Sequence, residues 1–243
     1  MRYKITFSYD GSNFNGYQVQ PNLRTVQGEL EKAVSYLNKQ TYTPVVASGR
    51  TDKGVHALNQ TAHFDLNINN TLYKIKRALN SKLPDDIHII DVEEVSQDFH
   101  ARFSVKKKEY IYKLNIGEYN PIERKYIYQY NKELNIEKMK EAIKYFIGTH
   151  DFTSFVPTED LKDDPVRTIY KANIKEKNNI LEISFQADGF MKYQVRNMVG
   201  LLISIGENKK KSSEVEVIIN NKNRSQKFKT ASAVGLYLKK VWY

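Results

Sequence analysis

The stretch Ser48-Gly49-Arg50-Thr51-Asp52-Lys53-Gly54-Val55-His56-Ala57 follows the apolar run Val45-Val46-Ala47 and sets one carboxylate between two cations, inside a pair of glycines. At a reference pKa of about 3.9 a lone Asp is already ionised at neutral pH. The paired-acid scheme of glycoside hydrolysis would need a second positioned carboxyl group, and this motif has none. A phosphate-cradling loop would need more glycines and a Lys-Ser or Lys-Thr pair at a helix start. Taken alone, the stretch reads more simply as a turn between strands, since Gly tolerates left-handed backbone and Asp and Thr are ordinary turn residues. His56 and His63 invite a metal reading, but they lie seven apart, are assigned to different elements and have neither Cys nor an HExxH pattern beside them, so no metal site is expected. His56 is expected to anchor the loop through a hydrogen bond.

The elements that must carry this loop follow from periodicity. Tyr3, Ile5, Phe7 and Tyr9 alternate with polar residues as a half-buried strand. Val26, Leu30, Ala33, Val34 and Leu37 recur at helical spacing behind Thr25, a plausible N-cap. Strands are predicted near Thr43–Ala47 and over Thr61–Leu66, a helix over Thr71–Lys82 closed by Pro84, and a strand over Ile87–Val95. The order is β-α-β-β-α-β. The second half repeats it with a strand over Glu109–Ile116, a helix from Ile136 through Ile147 ended by Gly148, and strands over Thr168–Lys175 and Ile180–Ala187. A helix through Val195, Met198, Val199 and Leu202 and a last strand over Tyr237–Tyr243 complete the copy, with an extra helix near Glu214–Ile219. Asp163-Asp164-Pro165 reads as a turn into a strand. The fold class predicted is α+β, with two ferredoxin-like (βαββαβ, RRM-like) domains at 1–103 and 104–243 whose antiparallel sheets flank a central catalytic cleft.

Composition bounds the partners. Thirty-eight Lys and Arg against 28 Asp and Glu leave a formal charge of +10, and 17 Tyr are interleaved with the basic residues. That balance suits a polyanion with unstacked bases, though charge alone fits solubility equally well. With no Cys in the chain, disulfides, thiolate metal sites and cysteine nucleophiles are excluded, in keeping with a cytoplasmic protein. The N-terminus lacks the apolar core of a signal peptide, and no apolar run is long enough to span a bilayer, so no membrane partner is expected.

Further segments change the weight of the motif. They are Tyr9-Asp10-Gly11-Ser12-Asn13-Phe14-Asn15-Gly16-Tyr17-Gln18-Val19-Gln20-Pro21, then Thr25-Val26-Gln27-Gly28-Glu29-Leu30, Gln60-Thr61-Ala62-His63-Phe64 and Lys108-Glu109-Tyr110-Ile111-Tyr112. The last is Gly189-Phe190-Met191-Lys192-Tyr193-Gln194-Val195-Arg196-Asn197-Met198-Val199-Gly200. In this order and spacing, from Tyr3 to Gly235-Leu236-Tyr237-Leu238, the chain resembles the tRNA pseudouridine synthase A family. The resemblance implies isomerisation of uridine to pseudouridine on the 3′ side of the tRNA anticodon stem-loop, by a homodimer, without cofactor or metal. It implies Asp52 as the catalytic aspartate, Tyr110 as the residue meeting the substrate base, Arg196 as the partner of the aspartate, and Arg50 as the side chain that enters the RNA helix when the nucleotide is flipped out. Lys53, Lys106, Lys107, Lys108 and Lys192 are further candidate cations of the cleft.

Three positions depart from that family's pattern: Tyr17 stands where Trp is usual, Gln194 where Met is frequent, and Ser232 in place of a proline. None is one of the implied site residues, but substrate choice stays open, with a paralogue acting on ribosomal RNA as one alternative. From a different class comes a non-catalytic RNA-binding protein with two RRM-like sheets, which the charge and strand order fit equally well. It leaves unexplained the lone acid between glycines and the cation Arg196 on an apolar helix, where burial demands a partner.

Overall fold

The computed structural model describes residues 1–68, 70–158, 161, 164–223 and 228–243. It is a mixed α+β protein, and its strands pair mostly antiparallel. The chain divides into two compact units, Met1–Lys106 with Tyr237–Tyr243, and Lys107–Leu236.

In the first unit, β1 (Arg2–Tyr9) buries Tyr3, Ile5, Phe7 and Tyr9, the alternate residues, as period-two patterning requires. Helix α1 (Val26–Leu37) starts where the Thr25 hydroxyl accepts from the Gly28 N–H, and it buries Val26, Leu30, Ala33 and Val34. Then come β2 (Val46–Ala47), β3 (His56–Asp65), α2 (Leu72–Lys82) and β4 (Ile87–Val95). β1 is flanked on both sides by antiparallel neighbours, β3 and β4, and β2 pairs antiparallel with the outer side of β3. The strand predicted from Thr43 shrinks to two residues. Thr43 is instead tied to α1, its N–H donating to Ser35 Oγ at 2.9 Å and its hydroxyl accepting from Asn38 at 2.9 Å, and Pro44 has no N–H to offer a ladder. β3 begins at His56, five residues before the predicted start, so His56 and His63 share one strand rather than lying on different elements. The C-terminal strand Leu236–Trp242, read from the sequence as the end of the second half, runs parallel to β3 with Tyr237 opposite His56.

In the second unit, β5 (Lys107–Asn115) pairs antiparallel with β9 (Ile180–Ala187), which pairs in turn with β8 (Val166–Lys177). Strand β6 (Tyr128–Gln129) lies parallel to β5, and β7 (Gly148–Asp151) extends the sheet beyond β8. The helices are α3 (Ile136–Ala142), α4 (Gln194–Gly206) and α5 (Glu214–Asn221). The helix predicted through Ile147 is α-helical only to Ala142 and tightens to a 3-10 turn over Ile143–Phe146, a common way to end a helix. There Phe146 is held edge-on against Phe155 and Phe185, with ring centroids 5.5 and 6.1 Å away. Asp163 lies outside the described residues, but Asp164 Oδ1 accepts from the Val166 N–H at 2.9 Å, the turn expected ahead of β8.

Candidate active site

The stretch from Ser48 to His56 is pinned at its backbone and at its buried side chains, while Arg50 and Lys53 are exposed. Ser48 is buried; its N–H donates to the Thr61 carbonyl at 2.8 Å and its hydroxyl to Gln60 Oε1 at 2.6 Å. The Gln60 amide then donates to the Gly49 carbonyl at 3.0 Å, so one buried glutamine on β3 secures both residues that open the loop. Two residues on, Thr51 is buried and shares a hydrogen bond of 2.8 Å with the Tyr9 hydroxyl. Burial pushes that phenol well above its usual pKa, so it stays protonated and serves as a neutral clamp. The Thr51 carbonyl also accepts from the Tyr17 N–H at 3.1 Å.

Glycines allow these close approaches. Gly54 has φ +79, the left-handed conformation that favours glycine, and the Val55 N–H closes the bend on the Asp52 carbonyl at 3.1 Å. Gly49 is not in that conformation, so of the two bracketing glycines Gly54 alone uses the freedom. The motif also depends on a glycine outside it: a Cβ on Gly11 would sit 2.1 Å from the Val55 carbonyl oxygen. The Gly11 N–H donates to His56 Nδ1 at 3.1 Å, and the imidazole stacks on Tyr237 at 4.7 Å. Since Nδ1 accepts there, the neutral ring carries its proton on Nε2, and the contact of Nδ1 with Asp10 Oδ1 at 3.2 Å is not an ion pair in that state. His56 thus anchors the loop as expected. Between these clamps Arg50 and Lys53 are exposed and Asp52 is half-buried.

The other two implied residues lie in the second unit. Tyr110, on β5, is 8% exposed, and its ring meets Phe190 edge-on at 5.2 Å. Arg196, half-buried in the first turn of α4, donates from Nε to the Ala231 carbonyl at 2.8 Å, and its guanidinium lies 5.0 Å from the Tyr193 ring centre. Its charge reaches Tyr112, where it opposes the strong upward push of burial on that phenol. The Tyr112 hydroxyl donates to the Ser232 carbonyl at 2.8 Å, so the segment ahead of the C-terminal strand is bound back to β5. Tyr193 has φ +60, and Gln194 Oε1 accepts from the Met191 N–H at 2.9 Å. Asn197, fully buried, donates to the Phe155 carbonyl at 2.7 Å and accepts from the Thr230 hydroxyl at 2.7 Å.

Arg50 and Asp52 therefore share one loop of the first unit, and Tyr110 and Arg196 belong to the second. The supporting residues Tyr9, Ser48, Gln60, Phe190 and Tyr193 were not singled out from sequence. Lys107 and Lys108 are on β5, Lys106 is exposed just before it, and the Lys192 ammonium sits 5.2 Å from the Tyr193 ring centre. Among the described residues, no cluster of His, Cys, Asp and Glu could hold a metal ion and no helix is long and apolar enough to cross a membrane.

Comparison with known proteins bears on what this arrangement does. The profile described as tRNA pseudouridine synthase matches residues 5–104 and 142–243. The chain is 46% identical to the tRNA pseudouridine synthase A of Anoxybacillus flavithermus, with 100% of this chain and 98% of that protein covered. It is 46% identical to the protein of the same name from Limosilactobacillus reuteri (100% and 96% covered) and 44% identical to that of Bacillus pumilus (100% and 99% covered). On that identity, spread over the two units, the chain belongs to the tRNA pseudouridine synthase family.

Proposed function

We propose that this chain, an isomerase of tRNA uridine by its family, works on the anticodon stem-loop with Asp52 as its catalytic carboxylate. The observation that supports the assignment is the loop itself: a half-buried acid between two exposed cations, on a backbone clamped by Tyr9, Ser48, Gln60 and His56. Such clamping holds a reacting group in place before substrate arrives, which is where most of a rate enhancement by positioning comes from.

The reaction breaks the bond from C1′ to N1 of uracil, turns the base and joins C1′ to C5, after which the C5 proton leaves and N1 takes one up. Atoms and electrons balance without a redox partner or a water molecule. Covalent addition of Asp52 to the nucleotide and abstraction of the 2′ proton are the two routes by which the carboxylate begins, and both use the same group. The target base must first leave its stack, at a cost of a few kcal/mol. Arg50, two residues before Asp52 and exposed, takes the vacated place in the helix in this reading. Tyr110 stacks on the uracil and takes the C5 proton, and Arg196 steadies the aspartate.

Each unit is read as a ferredoxin-like domain with the divide near residue 103; the order β4-β1-β3 with β2 beyond β3 in the first unit supports this. A cytoplasmic homodimer is proposed with it, which light scattering of the purified protein would check. The decisive experiment is tritium release from C5-labelled uridine in tRNA. Asp52→Ala should lower turnover by at least about 10³-fold while tRNA binding persists. Turnover at the wild-type rate would remove Asp52 from the mechanism, and no release from any tRNA by the wild-type protein would favour the non-catalytic RNA-binding reading.

A further inference from the structure

Helix α2 carries Lys74, Lys76, Arg77 and Lys82 and no acidic residue. Elsewhere two helical lysines have carboxylate neighbours, Lys32 at 3.2 Å from Glu29 and Lys140 at 2.8 Å from Glu137. Lys74, Arg77 and Lys82 are exposed, and among the described residues none has a carboxylate within ion-pair distance. Two of them rest on aromatic rings instead. The Arg77 guanidinium is 5.7 Å from the ring centre of Tyr73, and the Lys82 ammonium 4.0 Å from that of Tyr36 on α1. Those rings are 67% and 51% exposed. A cation on an aromatic face is held in position without losing its charge, so these groups remain available to an anion.

The helix also has a direction relative to the catalytic loop. β3 leaves that loop at His56 and runs to Asp65, about 30 Å away at strand rise, and α2 then returns. Its C-terminal end is back beside the loop's neighbours, since Ile87 pairs with Tyr9 and the Asp10 N–H donates to the Asp86 carbonyl at 3.0 Å. Lys82 is thus at the loop end of the unit and Lys74 toward the opposite end, about 12 Å apart along the helix axis.

We propose that the exposed face of α2 is a phosphate-binding track for the part of the tRNA lying beyond the reacting stem-loop. This rests on the reading of tRNA as substrate. Cations without a carboxylate partner, spaced along one helix with exposed tyrosines beside them, are the footprint of nucleic-acid backbone contact.

The test compares Lys74→Gln/Arg77→Gln/Lys82→Gln with wild type for binding of full-length unmodified tRNA and of an isolated anticodon stem-loop, between 50 and 200 mM salt. With full-length tRNA, the slope of log K against log salt should become shallower by about 2 to 3, and affinity at the low-salt end should fall about tenfold or more. Stem-loop binding and stem-loop turnover should be unchanged, and Lys74→Arg/Arg77→Lys/Lys82→Arg should bind as wild type. A wild-type slope in the Gln variant, or an equal loss on the stem-loop, would overturn the track. Should the triple variant melt early, Arg77→Gln and Lys82→Gln singly carry the same test, each lowering the slope by about one. Tritium release by wild type and by Asp52→Ala decides the substrate reading separately, so the two can fail independently.

Discussion

The bend at Ser48–His56 and the start of α4 at Phe190–Asn197 both present a polar group from an otherwise apolar framework, and they do it by opposite means. In the bend the backbone is fixed by neutral donors and acceptors on neighbouring strands. In α4 the charged side chain is itself held, Arg196 bonding to the Ala231 carbonyl and lying on the Tyr193 ring. The bend takes its left-handed residue from Gly54, whereas α4 is entered through Tyr193 at φ +60, which costs a non-glycine residue about 1 kcal/mol or more. Beside each region lies one buried polar atom without a hydrogen-bond partner among the described residues, the hydroxyl of Tyr17, whose N–H bonds to the Thr51 carbonyl, and the Gln194 side-chain nitrogen. These are two of the three positions at which the chain leaves its family's usual residues.

The largest effect should come from breaking the bend. Gly11→Ala would drive a Cβ against the Val55 carbonyl, 2.1 Å away, so the backbone beside Asp52 must move. A displacement of about 1 Å at a reacting group costs on the order of 10² in turnover. Tritium release should therefore drop by at least that much, with stem-loop binding less affected; unchanged turnover would show that the bend is not held as rigidly as its clamps imply.

The second effect is acid sensitivity. His63 Nδ1 accepts from the Ala101 N–H at 3.1 Å, and the pKa of this imidazole is lowered from 6.5 to about 4, chiefly by burial and then by Arg2 and His100. The folded protein keeps the ring neutral while the unfolded chain protonates it below about 6.5. Its contribution, at most about 3 kcal/mol, is therefore full above pH 6.5 and lost as pH falls toward 4. Urea titrations at pH 7 and pH 4.5 on wild type and His63→Gln measure it: the variant should lose less stability between the two pH values.

The smallest effects separate the two orphaned atoms. Tyr17→Phe removes a buried hydroxyl that has no hydrogen-bond partner among the described residues and should raise stability by about 1 kcal/mol. Gln194→Met also removes an orphan, but it gives up the bond from the Met191 N–H, so its net change should stay within about 1 kcal/mol of zero. Thermal melts of both variants distinguish them, and a clear loss in Tyr17→Phe would mean that the hydroxyl finds a partner in solution.

Alternation in β1 and helical spacing in α1, α2 and α4 were legible because burial on one face leaves a period in the sequence. Gly54 was legible as a bend for the same local reason, since its conformation is a property of one residue. Asp52 stood out because two cations and two glycines surround it in sequence. The clamps were legible only in His56, expected as a loop anchor; Tyr9 and Gln60 reach the loop from strands whose neighbours are set by pairing register, and register is a long-range outcome. For the same reason the place of the C-terminal strand beside β3 could not be read from its own alternation, which is identical whichever sheet it joins. Local chemistry was written in the string, whereas which buried group meets which backbone atom was decided only when distant segments packed, because a hydrogen bond across 42 residues, such as Tyr9 to Thr51, leaves no periodic trace in either partner.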